Sequence, residues 1–239
     1  MSPLQRERVD AAIEVLRLDR PAVRNAMDSA LLAALDDALS ALAADPELRV
    51  LVFSTTSTRA LCAGADIAEP LTREQGLARM EAFGRFYAAV EAFPVPTIAV
   101  CVGNCVGAGA ELVAGVDLRV AGDNLKLAWA GARLGIPVGP ARLTPLVGLS
   151  RAKQLILTGR VVDAAEAHAL GLTTATVPAE EAEAAAVELA RTIAAHPPAG
   201  LRVLKGEFRE LEAGAARVAR ENALLEDFQR HGGGLPQAR

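Results

Sequence analysis

Hydrophobic and polar residues follow two rhythms along this chain, and the rhythm changes partway. In the first half, short apolar runs with β-branched residues alternate with longer stretches whose apolar positions recur every three or four residues. "AIEVLRL" (12–18), "RVLVFST" (49–55), "TIAVCVG" (97–103) and "VDLRVAG" (116–122) read as strands. "SALLAALDDALSALAAD" (29–45) reads as an amphipathic helix that Asp28 or Ser29 can cap, and "TREQGLARMEAFGRFYAAVEAF" (72–93) as a longer one ending before "PVP". After Pro145 the pattern is helical: "SRAKQLILTG", "DAAEAHALG", "AEEAEAAAVELARTIAAH" and two further helices to about Gln229. The pattern predicts an α/β core over 1–175, a helical region over 176–230 and a disordered tail over 231–239, with no internal repeat.

Composition narrows the class. The 239 residues are about half hydrophobic with a net charge of −4, which suits one large domain able to bury its own core. The three cysteines, Cys62, Cys101 and Cys105, lie in apolar runs without zinc spacing. They read as reduced thiols of a cytoplasmic protein that holds no metal, with Cys105 a candidate for lining a site. A negative balance without a basic stripe argues against nucleic acid. The start, "MSPLQRERVD", lacks a signal-peptide core. The one membrane candidate, Pro94 to Val116, carries two prolines, Asn104, Glu111 and several glycines, which exclude a spanning helix.

Glu111 is the conspicuous residue. It stands in "CVGNCVGAGAELVAGV" (101–116), where an ionised carboxylate is costly unless paired or titrated. Two small-residue turns follow strands: "CAGAD" (62–66) and "VGAGAEL" (106–112). Such turns let a ligand approach the main chain, and two backbone N–H groups meeting there form an oxyanion hole. A helix beginning near Ala108 puts Glu111 three residues on, on the same face. The competing reading is a carboxylate that only serves the helix N-terminus, although a capping box needs Ser or Thr where Ala108 stands. "GAGAEL" (107–112) begins like a dinucleotide fingerprint but has Leu112 in place of the third glycine.

These residues resemble the crotonase, or enoyl-CoA hydratase/isomerase, superfamily. The likeness runs through "LDRPAVRNAM" (18–27), "RALCAGADI" (59–67), "VPTIAVCVGNCVGAGAELVAGVDLRVAGDN" (95–124), "RLGI" (133–136) and "LTGRVVDAAEAHALGL" (157–172). It implies a ClpP/crotonase-like spiral of ββα units, with C-terminal helices forming a homotrimer or a hexamer of two trimers. It also implies an acyl-CoA thioester as substrate, with no cofactor apart from the coenzyme A that the substrate carries. By the same likeness the Ala65 and Ala108 N–H groups hold the thioester oxygen and Glu111 is the acid/base. Coenzyme A is implied to pass Leu61, Cys62, Ala63, Gly64 and Asp66, with Gly107 in the second turn and Arg24 near the phosphates. Solvated surface charge is the competing reading for Arg24.

Three features depart from the family pattern. Hydratases of the family carry a second glutamate where "AWAGARLG" (128–135) has Gly131. Trp129, beside it, is expected to wall the acyl pocket, and Glu69 and Arg133 are candidate substitutes for the missing acid, each more simply structural. "GIPVGPARL" (135–143) is about three residues shorter than the family loop at the acyl end. The final Lys- and Phe-rich helix that covers coenzyme A in most relatives has no counterpart. The implied activity is hydration or dehydration of a 2-enoyl-CoA by one retained glutamate. Double-bond isomerisation and non-catalytic acyl-CoA binding are the competing readings, and a nicotinamide oxidoreductase is a third class.

Overall fold

The computed structural model describes residues 2–235. Its first half runs β1 (Leu4–Asp10), β2 (Ile13–Leu18), α1 (Ser29–Ala43), β3 (Val50–Thr55), β4 (Ala60–Cys62), α2 (Arg73–Glu91), β5 (Thr97–Cys101), β6 (Asn104–Val106), α3 (Ala108–Gly115), β7 (Leu118–Gly122) and β8 (Lys126–Ala128). There follow α4 (Pro140–Thr158), β9 (Val162–Asp163), α5 (Ala164–Ala169), β10 (Ala175–Val177), α6 (Ala182–Ala194), α7 (Pro198–Glu212) and α8 (Gly214–His231). The strands form a six-stranded sheet, β1-β2-β3-β5-β7-β10, and a four-stranded sheet, β4-β6-β8-β9. Three successive units, β3-β4-α2, β5-β6-α3 and β7-β8-α4, each give one strand to each sheet before their helix. This is the ββα spiral the sequence led us to expect.

Period-two burial explains the layers. In the large sheet Val50, Val52, Ile98 and Val100 face α6, whose Ala182, Ala186, Ala190 and Ala194 present only methyl groups and so allow close approach. Leu51, Phe53, Ala99 and Cys101 face the other way, toward α1, α2 and α3. Helix ends are fixed locally. The Asp28 carboxylate accepts from the Leu31 N–H at 2.8 Å, and Thr72 with Gln75 forms a capping box on α2. Helix α3 is only eight residues long and nearly all buried, so packing rather than propensity holds it.

The structure corrects several expectations. The opening residues form β1, an antiparallel edge strand beside β2, and the second sheet is built of strands too short to leave a periodic signal. Helix α4 begins at Pro140, ahead of "SRAKQLILTG", and bends at Gly148. The boundary expected at 175 falls where β10 joins β7, and α6 covers the large sheet, so the core extends through α6. Helix α8 returns to its own core, where Asn222 Nδ2 donates to the Gly84 carbonyl at 2.8 Å. The tail expected to be disordered from 231 is ordered as far as Leu235, whose N–H donates to Gln229 Oε1 at 2.9 Å; residues 236–239 lie outside the described residues. The 94–116 segment resolves into β5, β6 and α3, and among the described residues no helix is long and apolar enough to cross a membrane.

One contact fixes how β4 and α3 meet. The first turn of α3 lies against the end of β4 so closely that a Cβ on Gly109 would fall on the Cys62 carbonyl oxygen. Gly109→Ala is expected to cost about 1–3 kcal/mol in urea denaturation, the range for overpacking. Gly206→Ala on α7, where an added Cβ meets nothing within 4 Å, is expected to be neutral or stabilising by up to about 1 kcal/mol.

Candidate active site

The Gly109 contact brings the two small-residue turns together. Gly64 (φ 117°) and Gly107 (φ 54°) both adopt backbone conformations that favour glycine, and a Cβ on Gly107 would stand 3.7 Å from Gly64 Cα. The amides flanking each turn are used by the fold: Asp66 N–H donates to the Met27 carbonyl at 2.8 Å and Gly107 N–H to the Ala128 carbonyl at 3.0 Å. The Ala65 and Ala108 N–H groups, in contrast, have no hydrogen-bond partner among the described residues. Ala108 is the first residue of α3, where a backbone N–H has no partner within the helix and carries the positive end of its dipole. Both alanines line one cavity of about 520 Å³.

Glu111 lines the same cavity, one helical turn into α3. It is 1% exposed and its side chain does not return to cap the helix, which removes the capping reading. Oε2 accepts from Arg142 Nε at 2.6 Å, whereas Oε1 is buried with no partner. Burial pushes the carboxyl up to about 7; Arg142 opposes that rise and Glu221 adds to it. A carboxyl so placed exchanges a proton near neutral pH, as an acid/base group requires.

Arg142, Glu221 and Tyr87 complete this cluster, and the sequence reading missed all three. The Arg142 guanidinium, on the first turn of α4, lies 4.3 Å from the centre of the Tyr87 ring and pairs with Glu221 of α8 as well as with Glu111. The one available signal was an arginine among apolar residues in "GPARL" (139–143). Glu221 lies in a polar stretch, where nothing marked it.

The other predicted residues divide. Ala63, Gly64, Asp66 and Gly107 line the cavity, as does Arg24, exposed and in the left-handed region (φ 54°). Asp66 is paired with Arg20 at 3.0 Å. Leu61 and Cys62 are interior residues of β4 and do not reach the wall, and Cys105 in β6 is equally enclosed. Burial pushes the Cys62 thiol up to about 12, which keeps it protonated. Trp129 does not wall the cavity either: it is fully buried in the core behind it, its indole against Gly139. Gly131 does line the cavity, but a Cβ there would stand 2.7 Å from Val138 Cγ1 and 2.9 Å from the Ile136 carbonyl oxygen. The short 135–139 loop thus fills the place of a second acid's side chain. Glu69 does not replace it, being paired with Arg79 at 2.8 Å, and Arg133 packs over Gly159.

The α/β spiral thus holds a cavity lined by one buried carboxyl and two unpartnered amides, and the comparisons supply the class and the family. A family model described as enoyl-CoA hydratase/isomerase matches residues 8–232. The chain is 34% identical over 219 residues to the 2,3-dehydroadipyl-CoA hydratase of Escherichia coli (strain K12), covering 88% of this chain and 86% of that one. It is 33% identical over 206 residues to probable enoyl-CoA hydratase 2, mitochondrial, of Arabidopsis thaliana, covering 84% and 68%. The crystal structure of an enoyl-CoA hydratase from Bacillus anthracis matches with a TM-score of 0.83 at 27% identity, covering 99% of this chain and 100% of that one. The fold is therefore the crotonase fold, and the chain is an enzyme belonging to the enoyl-CoA hydratase/isomerase family.

Glu111 also makes stability depend on pH. Its proton is held more tightly in the folded chain, at about 7, than in a free glutamate, at 4.5. Folding therefore takes up a proton between these values; the stabilisation is complete below about 4.5 and is lost as pH rises through about 7. Urea denaturation of the wild type is expected to weaken across this window by roughly 3 kcal/mol relative to Glu111→Gln, whose amide does not ionise.

Proposed function

We propose that this protein hydrates a 2-enoyl-CoA, and dehydrates the product, with Glu111 performing both proton transfers. The observation that carries this reading is the meeting of one ionisable carboxyl and two unpartnered amides, Ala65 and Ala108, on a single cavity wall. The amides receive the thioester carbonyl oxygen. Ionised Glu111 takes a proton from water as the water oxygen bonds to C3, and the C2–C3 π pair moves onto the thioester as an enolate. The two N–H groups stabilise the developing oxyanion, each worth on the order of a hundred- to a thousandfold in rate. Glu111 then returns its proton to C2, which leaves every atom and electron accounted for.

Met80, Phe83, Ile136, Val138 and Leu225 give the cavity an apolar lining, which favours a hydrocarbon acyl group. Arg24 at its edge is the group we assign to the coenzyme A phosphates. Exposed Val203, Leu204, Phe208 and Leu211 on α7 support association of the C-terminal helices into a homotrimer or hexamer.

A second reading has its own support: double-bond isomerisation needs one proton shuttle, and the site holds one carboxyl. Supplying 2-enoyl-CoA and 3-enoyl-CoA thioesters separately, and identifying the products, decides between the two. Tight acyl-CoA binding with no product from either would instead make the protein a binder.

For hydration, Glu111→Gln is expected to lower kcat/KM by about 10²–10⁴-fold while the variant retains its fold by circular dichroism. Because one ionised group starts the reaction in either direction, wild-type kcat/KM is expected to rise tenfold per pH unit up to about 7 and then level. A bell-shaped profile would reveal a second titrating catalyst and overturn the one-carboxyl mechanism.

A further inference from the structure

We propose that Glu221, acting through Arg142, is a positioning residue that sets the protonation of Glu111, which makes the C-terminal helix α8 part of the active site. The inference rests on reading Glu111 as the acid/base.

The geometry is that of a double anchor. Glu221 reaches the first turn of α4 with both carboxylate oxygens. Oε2 accepts from the Ala141 N–H at 2.8 Å, and Oε1 pairs with Arg142 Nη2. The N-cap residue of α4, Gly139, offers no side-chain acceptor, so Glu221 supplies the acceptor an N-terminal amide needs. The same carboxylate thus holds the backbone and the guanidinium of adjacent residues. The guanidinium is held further by the face of Tyr87, and its Nε is delivered to Glu111 Oε2 at 2.6 Å. The planar guanidinium presents Nε to one carboxylate and Nη2 to the other in a fixed fork, a geometry that a lysine ammonium, a compact point charge, does not reproduce.

Charge counting gives this anchor a chemical consequence. With both glutamates ionised, two buried negative charges share one guanidinium. Glu221 has donors on both oxygens, whereas Glu111 Oε1 has none, so a proton entering the cluster goes to Glu111. No other titratable group packed around α3 bonds to Glu111, whose hydrogen-bond partner among the described residues is Arg142. Tyr87 on α2 and Cys62 and Cys105 on the short strands are all held protonated by burial. Arg79 on α2 is committed to Glu69 and the Asp66 carbonyl. Arg119 on β7 donates to the carbonyls of Val113, Val116, Asp117 and Leu172 at the far end of α3. Glu221 is thus the like charge and Arg142 the opposite charge that Glu111 meets.

The test is the Glu111 titration midpoint, read in two ways. Carbon-13 NMR of carboxyl-labelled glutamate, with Glu111→Gln for assignment, follows it in the free protein. The pH profile of kcat/KM on a 2-enoyl-CoA follows it in turnover. Glu221→Gln keeps the shape but removes the like charge, and is expected to lower the midpoint by about one unit. Arg142→Lys, whose point charge does not reproduce the Nε–Nη2 fork, is expected to raise it. A role confined to capping α4 would lower Tm in both variants and leave the midpoint at its wild-type value, which would overturn the proposal. If Glu221→Gln does not fold, Glu221→Asp, whose shorter side chain releases Arg142 toward Glu111, takes its place: a lowered midpoint supports the proposal and an unmoved one overturns it. If the NMR midpoints shift as stated but no variant or wild type turns over, the positioning role stands and the hydratase reading fails.

Discussion

The contact between Gly109 and the Cys62 carbonyl is the constraint on which the site depends. Strand β4 ends and α3 begins within reach of each other because no side chain intervenes. The two turns belong to successive units of the spiral, and each leaves one amide without a partner among the described residues, that of Ala65 and that of Ala108, on one cavity. Sheet pairing continues up to the edge of the site: β4 pairs with β6 and β6 with β8, and the ladder supplies partners for neighbouring amides. What the ladder leaves over is the N–H of Ala65 and that of Ala108.

Electrostatics supplies the other half. A buried carboxylate faces a desolvation cost of several kcal/mol in real proteins, and its opposing ion recovers that only with good geometry. Here the opposing ion is divided between two acids, which leaves Glu111 neither firmly ionised nor firmly neutral near pH 7. A one-to-one ion pair would have held the carboxylate charged well below neutrality, and an apolar pocket without Arg142 would have kept it protonated well above. The three charged members of the cluster come from three different helices, α3, α4 and α8.

Much of this was legible in the sequence, for identifiable reasons. The strands of the large sheet carry dense β-branched runs, α1 and α2 have side-chain caps, and α3 begins where the glycine-rich turn put it, at Ala108. Glu111 could be found because a carboxylate among apolar residues is costly. The second sheet was invisible because strands of two or three residues have no period to detect. Trp129 misled because its size suggested a pocket wall; size alone cannot tell which side of a loop a ring occupies, and the shortened 135–139 segment draws it into the core. Arg142 and Glu221 were missed because their importance is relational. Neither is unusual until folding brings together positions 79 residues apart.

That separation bears on how the molecule is made. On a chain emerging from the ribosome, both turns and Glu111 are synthesised long before Glu221, Leu225 and Leu235, which close the cluster and the cavity wall. The residues that close this cluster and one side of the cavity are therefore among the last of it to be synthesised.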